Sequence, residues 1–191
     1  MSILRPVWKI FFAAAGWKVL NPFPQVPKAV IAVGPHTSWQ DILIGMATRS
    51  ITRMNNAHYL GKKELFDGPF GWLFRWTGGV PVDRAHKLNM VEQVTQVFQE
   101  HEHFLLAIAP EGTRKKVDRL KTGFYHIARS AGVPIILSAI DYSKKAVWFS
   151  EPFRPTGDEQ ADLKKVMEFY RGVRGKNPDY DMRHLGDEAT S

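Results

Sequence analysis

Residues 29–41 read AVIAVGPHTSWQD, and this stretch decides the fold class. The first five residues are apolar without a break, which is typical of a β-strand buried on both faces. Gly34 and Pro35 end that strand, and a helical spacing of apolar residues runs from Asp41 to Arg53. A buried strand followed at once by a helix is the repeating unit of α/β folds.

Comparable segments follow along the rest of the chain. Continuous apolar runs predict further strands at 57–60, 79–82, 104–109, 133–140 and 146–149. Helical spacing predicts further helices at 89–101, 122–131 and 158–174. Because strands alternate with helices, the sequence predicts an α/β fold with a mixed, mostly parallel sheet flanked by helices.

The composition is that of a globular protein with one domain. The chain has 191 residues, of which 44% are hydrophobic and 24% charged, so it can bury a full core. It contains no cysteine. This absence excludes a disulfide scaffold, a thiolate metal site and a cysteine nucleophile.

Positive charge is concentrated in the first 150 residues. The chain has 26 lysines and arginines against 19 acidic residues, a net charge of +7. Residues 1–150 hold 19 of the basic and 10 of the acidic residues, whereas residues 151–191 hold 7 and 9. This distribution favours an anionic partner: nucleic acid, an anionic membrane surface or a phosphorylated substrate. Solubility alone is the alternative explanation.

The N-terminal segment has the pattern of an amphipathic helix over Ile3–Leu20. Its longest uncharged run, Ile10–Trp17, is far shorter than the ~20 apolar residues that a membrane-spanning helix needs. Lysine together with tryptophan and phenylalanine on one short helix is typical of an anchor at a membrane surface. A helix that packs on the domain is the alternative, and a signal peptide with Ala13–Ala15 at its cleavage site is a weaker one.

His36 and Asp41 lie between the strand at 29–33 and the helix that follows it. Because His36 is in the loop, the carboxylate in the first helical turn can fold back to the imidazole. A carboxylate on one imidazole nitrogen fixes the tautomer, and the other nitrogen can then take a proton from a hydroxyl. A purely structural alternative is that Ser38-x-x-Asp41 forms a capping box at the start of the helix.

A second polar stretch, Ala109–Arg114, comes at the end of the apolar run at 104–109. If this strand is parallel to the strand at 29–33, both loops leave the same edge of the sheet, where open α/β sheets bind ligands. Gly112 permits a tight turn, and Arg114 offers a guanidinium fork for phosphate oxygens. The basic residues after Arg114 are alternatively a solvated surface; they are Lys115, Lys116, Arg119 and Lys121.

A third stretch, Gly78–Arg84, joins two glycines to a strand-like run. It delivers Arg84 to the end of a strand. A surface ion pair between Asp83 and Arg84 is the alternative.

Taken in order, four motifs resemble those of the glycerolipid acyltransferase family, of the lysophosphatidic acid acyltransferase type. The first, H-x-x-x-x-D, is matched by His36–Asp41, and the third, E-G-T-R, by Glu111–Arg114. The second, a glycine followed within a few residues by an arginine, is matched by Gly79–Arg84. The fourth, a hydrophobic run with a proline, is matched by Val133–Ile136, so that the resemblance covers about residues 28–140.

The resemblance implies a fold like that of glycerol-3-phosphate acyltransferase and a direct acyl transfer without cofactor or metal. His36, oriented by Asp41, would deprotonate a hydroxyl, whose oxygen would attack the thioester of acyl-CoA or of an acyl carrier protein. The implied acceptor is 1-acylglycerol 3-phosphate, with glycerol 3-phosphate or another hydroxyl lipid as alternatives. The residues implied to bind its phosphate are Arg84, Glu111, Gly112, Thr113 and Arg114. Because Glu111 cannot itself attract phosphate, we expect it to orient neighbouring groups.

Two departures from the family pattern leave the acceptor open. Many members have asparagine before the histidine, where this chain has Pro35. The second motif often carries Phe or Tyr with Ile before Asp-Arg, where this chain has Val-Pro-Val at 80–82.

The resemblance gives an acyltransferase catalytic domain at 28–175. The N-terminal pattern gives an anchor segment at 1–27, and the polar composition after Gly175 gives a loosely held tail at 176–191. The chain departs from the family in having no N-terminal spanning helix, which favours a peripheral enzyme. The expected enzyme is peripheral, on the cytoplasmic face of an anionic membrane, and binds no nucleic acid.

Two other classes of protein remain as alternatives. One is a metal-dependent hydrolase that uses His36, Asp41, Glu111 and either His101 or His103. The other is a basic nucleic-acid-binding module. The first lacks a recognisable metal-ligand spacing, and the second lacks a recognition motif.

Overall fold

The computed structural model describes residues 4–82 and 87–188, which form a seven-stranded sheet in the order β1-β7-β6-β2-β5-β3-β4. The strands are β1 (Lys18–Val19), β2 (Lys28–Gly34), β3 (Ala57–Lys62), β4 (Gly79–Val82), β5 (Phe104–Ile108), β6 (Ile135–Asp141) and β7 (Ala146–Phe149). Strands β6, β2, β5, β3 and β4 run parallel to one another, whereas β7 runs antiparallel to β6. The predicted mixed, mostly parallel sheet is confirmed.

The helices of the described ranges include all those that the sequence predicts, with ends that differ by a few residues. They are α1 (Arg5–Ala15), α2 (Gln40–Ile51), α3 (Lys63–Asp67), α4 (Gly71–Trp76), α5 (Lys87–Glu100), α6 (Gly123–Ala131), α7 (Glu159–Tyr170) and α8 (Arg183–Glu188). The short helices α3, α4 and α8 were not predicted. In the two described ranges, no helix has the length and apolar character that crossing a bilayer requires.

Strand β2 lies at the centre of the sheet because its residues are apolar on both sides. Val30 and Ala32 belong to the core on one face, and Ala29 and Ile31 belong to the core on the other face. All four side chains are 3% exposed or less. The continuous apolar run therefore forms a strand that is buried on both faces, as its composition predicts, since successive strand residues point to opposite faces.

Helices α1, α2, α3 and α4 cover one face of the sheet. Phe12 of α1 and Ile44 of α2 belong to the same core as Ile31. Phe66 of α3 packs against Gly61 and Gly79, where a side chain on either glycine would collide with its ring. Gly61 is on this face because it alternates along β3 with residue 60, which packs against the opposite core.

Helices α5, α6, α7 and α8 cover the opposite face. Each contributes at least one side chain to the core around Val30, namely Val94, Phe124, Tyr170 and Leu185. The two cores and the sheet between them give a three-layer arrangement, with the site at one edge of the middle layer.

Helix α1 is shorter than the predicted Ile3–Leu20. It ends at Ala15, and the next residue, Gly16, has a left-handed φ of 74° and an N–H that bonds to carbonyls of the last turn. The chain then enters β1, which pairs in parallel with β7. Phe12 is buried, whereas Val7 and Ile10 are 59% and 69% exposed, so one side of α1 packs on the domain and the other stays uncovered.

The segment after Gly175 differs from the loosely held tail expected from its polar composition. Met182 and Leu185 are buried in the core, at 3% and 5% exposure, and Asp181 is buried beside them. The expectation is wrong for residues 176–188 because two apolar side chains spaced one helical turn apart are enough to dock a short helix.

Candidate active site

The carboxyl ends of β2, β5 and β6 meet at one edge of the sheet. Strand β2 pairs in parallel with both neighbours, so the loops after Gly34, Ile108 and Asp141 leave from that same edge. The predicted meeting of the first two loops is confirmed, and it occurs where open α/β sheets bind ligands. The third loop, which begins with Tyr142, was not predicted to take part.

The His36 and Asp41 side chains are in contact. The imidazole Nδ1 lies 3.1 Å from Asp41 Oδ2, and the two side chains are 26% and 2% exposed. The same Oδ2 accepts hydrogen bonds of 2.8 Å from the N–H groups of Thr37 and Ser38. Asp41 therefore holds the imidazole and the backbone before α2 together through one oxygen, and the N-cap of α2 is Trp39 rather than the predicted Ser38.

Tyr142 completes the environment of the Asp41 carboxylate. Its hydroxyl donates a hydrogen bond of 2.7 Å to Asp41 Oδ1, the oxygen that does not face His36. Burial raises the pKa of Asp41, but hydrogen bonds from His36, Tyr142 and Ser38 outweigh burial and lower it below its usual value. Burial and the neighbouring carboxylate raise the pKa of Tyr142, so the hydroxyl stays a donor.

Glu111 lies beneath the His36 loop and is fully buried. Its Oε1 accepts a hydrogen bond of 2.7 Å from the backbone N–H of His36. Burial raises its pKa to about 7, against the opposing effect of that hydrogen bond. Its other oxygen, Oε2, has no hydrogen-bond partner among the described residues. The carboxyl group thus holds the loop that carries the imidazole and has no exposed surface for a ligand.

Gly112, Thr113 and Arg114 form the exposed tip of the same loop. The φ of Gly112 is 64°, and its N–H bonds to Ala109 O at 3.0 Å, which turns the chain sharply after β5. The backbone N–H of Lys121 closes the far side of the loop on Pro110 O at 2.7 Å. Arg114 is therefore an exposed residue in a loop that leaves the same edge of the sheet as the His36 loop.

Arg84, with Asp83 before it, lies outside the described residues, so its proposed role stays a prediction. The strand that leads to it is as predicted, because β4 spans Gly79–Val82 and pairs in parallel with β3.

The C-terminal segment holds the His36 loop in place. Thr37 is buried, and Asn177 bonds to it twice, from its backbone N–H to Thr37 Oγ1 at 3.1 Å and from Nδ2 to Thr37 O at 2.8 Å. A side chain at Gly175 would come within 2.7 Å of Thr37. One residue earlier, Arg174 O accepts a hydrogen bond of 2.9 Å from the N–H of Tyr142. Local sequence patterns give no signal for this contact between distant segments.

The metal-hydrolase alternative is not supported by the geometry. His101 and His103 come just before β5 begins, whereas His36 follows the end of β2, so they lie at opposite edges of the sheet. Among residues 4–82 and 87–188, no group of three or more histidine and acidic side chains is placed to hold a metal ion.

The sequence model of the acyltransferase family matches residues 20–140. This range is more than half of the chain and includes both His36–Asp41 and Glu111–Arg114. The chain belongs to the acyltransferase family. Family membership thus agrees with the resemblance that the four motifs gave.

Relatives within the family share part of their length with the chain. The 1-acyl-sn-glycerol-3-phosphate acyltransferase of Haemophilus influenzae is 34% identical over 131 residues, which are 63% of this chain and 52% of that protein. The protein of the same name from Streptococcus pneumoniae is 30% identical over 119 residues, 61% of this chain and 43% of that one. The chain therefore spans about half the length of the relatives it matches.

A solved structure shows the same fold. It is the 1-acyl-sn-glycerophosphate (LPA) acyltransferase PlsC from Thermotoga maritima, with a TM-score of 0.59 and 19% identity. The similarity covers 98% of this chain and 78% of that chain. It confirms the predicted architecture, N-terminal helix included, across nearly the whole chain.

Proposed function

We propose that the chain is an O-acyltransferase that moves a fatty acyl group from acyl-CoA or acyl carrier protein to the hydroxyl of 1-acylglycerol 3-phosphate, giving phosphatidate. The observation that carries the proposal is the His36–Asp41 pair, 3.1 Å apart, joined to the E-G-T-R loop by the 2.7 Å bond between His36 N–H and Glu111. The names of the relatives from Haemophilus influenzae and Streptococcus pneumoniae support the choice of acceptor.

The reaction follows from the way His36 is held. Because Asp41 occupies Nδ1, the imidazole presents Nε2 to the acceptor hydroxyl and takes its proton. The oxygen attacks the thioester carbonyl carbon, the new C–O bond forms, and the C–S bond breaks. The proton on His36 then passes to the departing thiolate. Asp41, kept as a carboxylate by its hydrogen bonds, stabilises the imidazolium between these two steps.

The acceptor phosphate is assigned to the basic tip of the E-G-T-R loop. Arg114 supplies a guanidinium fork, and the exposed turn at Gly112 and Thr113 leaves the backbone open to close approach. Arg84 joins this site in the proposal. Pro35 and the Val-Pro-Val stretch depart from the family pattern. Glycerol 3-phosphate and other hydroxyl lipids are therefore compared as alternative acceptors.

The proposal includes peripheral binding to the cytoplasmic face of an anionic membrane through α1. In support, α1 leaves Val7 and Ile10 uncovered, and the first 40 residues carry four basic side chains and no acidic one. Apolar residues interleaved with lysine and arginine suit the boundary between headgroups and acyl chains.

The test is a panel of donors and acceptors with the purified chain. Acyl-CoA and acyl carrier protein are each paired with 1-acylglycerol 3-phosphate, glycerol 3-phosphate and other lysolipids, and products are measured by mass spectrometry. We expect phosphatidate from the first acceptor and loss of about 10²–10⁴-fold in rate for His36→Ala with unchanged circular dichroism. Thioester hydrolysis at one rate with or without acceptor contradicts acyl transfer, and so does a His36→Ala variant that keeps full activity.

A further inference from the structure

The exposed large apolar side chains are confined to the first part of the chain. In the described residues all of them except Tyr180 lie between positions 4 and 76. They are Leu4, Val7, Ile10, Phe11, Leu20, Trp39, Ile42, Leu43, Leu65, Phe70, Trp72, Leu73 and Trp76. Scattered exposed apolar residues are ordinary, but a strongly one-sided distribution marks an interaction surface.

Most of these side chains lie on helices that cover the same face of the sheet. Helices α1, α2, α3 and α4 cover the face of Ile31 and Gly61, and helices α5 to α8 cover the other. Helix α1 packs on α2, and Arg49 near the end of α2 bonds to Thr77 O just after α4. The uncovered apolar side chains therefore belong to neighbouring helices of one layer.

The segment Lys63–Trp76, which we call the aromatic hairpin, contributes three of the four most exposed aromatic side chains among the described residues. Phe70, Trp72 and Trp76 are 64%, 66% and 55% exposed. Phe66, in contrast, is 3% exposed and anchors the hairpin to the sheet. The hairpin is thus built to bury one aromatic ring and to present three others outward.

Polar contacts fix the hairpin in this presentation. Arg75 donates a hydrogen bond of 2.9 Å to Phe66 O, and its guanidinium lies 5.5 Å from the centre of the Phe66 ring. The Thr77 hydroxyl donates to Phe74 O at 2.9 Å and contacts the hydroxyl of Tyr59 at 2.8 Å. Because these contacts already hold the hairpin in one conformation, it loses little conformational entropy when its exposed rings are covered.

The charge of this part of the chain favours one kind of partner for the exposed apolar side chains. Residues 4–82 carry nine lysines and arginines and three acidic residues, one of which is the buried Asp41. Interfaces between protein copies are depleted in lysine at their centre. Tryptophan and phenylalanine beside lysine and arginine instead match the headgroup region of an anionic bilayer, where indole rings and cations both find partners.

We propose that the aromatic hairpin is a second bilayer contact beside α1, so that the face formed by α1, α2 and the hairpin lies on an anionic lipid surface. Trp39 lies between His36 and Asp41 in sequence, and Ile42 follows Asp41 directly. These two side chains are 60% and 58% exposed in the same layer. Docking by this face brings the mouth of the site to the level of the headgroups. The inference rests on the proposed function in one respect, namely that a lipid acceptor enters the site from this surface.

The experiment measures binding of the full chain to sedimented vesicles of phosphatidylcholine alone and of phosphatidylcholine with phosphatidylglycerol. The test variant combines Trp72→Ser and Trp76→Ser, and the control is Tyr180→Ser, which removes an exposed aromatic outside this layer. We expect the double variant to lose about tenfold or more in partition to the anionic vesicles, since burial of one large apolar side chain is worth about that factor. The control should bind like the unmodified chain.

Two further measurements make the outcome decisive. Brominated acyl chains should quench the fluorescence of the unmodified chain more than that of a Trp72→Phe, Trp76→Phe variant. Turnover of a monomeric short-chain acceptor should stay unchanged in the serine double variant, which separates docking from the proposed catalysis. Equal vesicle binding by the double variant and the unmodified chain overturns the inference. Loss of a dimer in light scattering, with vesicle binding intact, overturns it in favour of a second copy on this face.

Discussion

The hydroxyl of Tyr142 donates a 2.7 Å hydrogen bond to Oδ1 of Asp41, which lies 101 positions earlier in the chain. The other carboxylate oxygen accepts hydrogen bonds from the N–H groups of Thr37 and Ser38 and lies 3.1 Å from His36 Nδ1. Both oxygens are therefore held from fixed directions, one by the loop of the imidazole itself and one by the loop after β6. The orientation of His36 depends on a residue outside all four recognised motifs.

Replacement of Tyr142 by phenylalanine should raise the pKa of Asp41 and slow the reaction. The Tyr142 ring packs edge-on against Trp17, 5.0 Å between centres, so the variant should keep its fold. A hydrogen bond to a charged group is worth about 1.5–3 kcal/mol, which predicts roughly a ten- to hundredfold fall in kcat/KM. The pKa is measured by carboxyl-carbon titration in NMR.

The control for this substitution is Tyr59→Phe. It also removes a hydroxyl that is hydrogen-bonded, to Thr77 at 2.8 Å, but away from the site. If both variants slow the reaction equally, or if the Asp41 titration does not move in Tyr142→Phe, Tyr142 does not act through Asp41.

The buried carboxyl of Glu111 should make the free energy of unfolding fall as pH rises. Burial raises its folded pKa from an ordinary 4.5 to about 7, so between these values the folded state binds more protons than the unfolded state. Stability is then fully present below pH 4.5 and decreases up to pH 7. Linkage at 1.36 kcal/mol per pKa unit gives a total loss of about 3 kcal/mol.

Glu111→Gln should remove this dependence and keep an acceptor for the His36 N–H. The measurement compares urea unfolding of the two proteins from pH 4.5 to pH 8. As pH rises, the free energy of unfolding of the glutamine variant should increase relative to that of the unmodified protein. Parallel curves across this range contradict a neutral Glu111 at low pH.

Asn177→Ala should lower both stability and activity. It removes the side-chain hydrogen bond to Thr37 O and loosens the contact of the C-terminal segment with the His36 loop. The loss of stability should be about 1–3 kcal/mol, and the rate should fall tenfold or more because small misplacements of a reacting group are costly.

Asn21→Ala is the matched control for Asn177→Ala. Asn21 also joins two distant segments, through two 2.9 Å bonds with the backbone of Phe149, but away from His36. Both alanine variants should unfold at lower urea concentration, whereas only Asn177→Ala should lose activity at a temperature where both are folded. A similar fall in activity for the two would make the Asn177 contact a matter of stability alone.

Features encoded within short stretches were predictable from the sequence. The run 29–33 indicates a strand buried on both faces, and His36 and Asp41 are close enough in sequence for their contact to follow from a loop and the first turn of a helix. The parallel arrangement then brings Glu111 to the same edge. Each of these steps needs only local spacing and one rule about parallel sheets.

Features that depend on distant segments were not predictable. Tyr142 follows a buried strand, where an aromatic residue is ordinary, and Asn177 stands in a polar stretch typical of a loose tail. Met182 and Leu185 dock that stretch through one helical turn, too short for a periodic signal. The aromatic hairpin is apolar and broken by glycine, so no period distinguishes its buried Phe66 from its exposed Trp72.

Arg114→Lys should weaken the use of phosphorylated acceptors while the charge of the loop is kept. Lysine cannot reproduce the planar fork with which arginine binds phosphate oxygens, so KM for 1-acylglycerol 3-phosphate should rise about tenfold with little change in kcat. An acceptor that has the same hydroxyl and acyl chain but no phosphate, a monoacylglycerol, should be used slowly and equally by both proteins. Arg119→Lys, the same change at another exposed arginine shortly after this loop, is the control. Because only a residue in contact with the phosphate discriminates between the two acceptors, an equal effect of Arg114→Lys on both contradicts its assignment to the phosphate site.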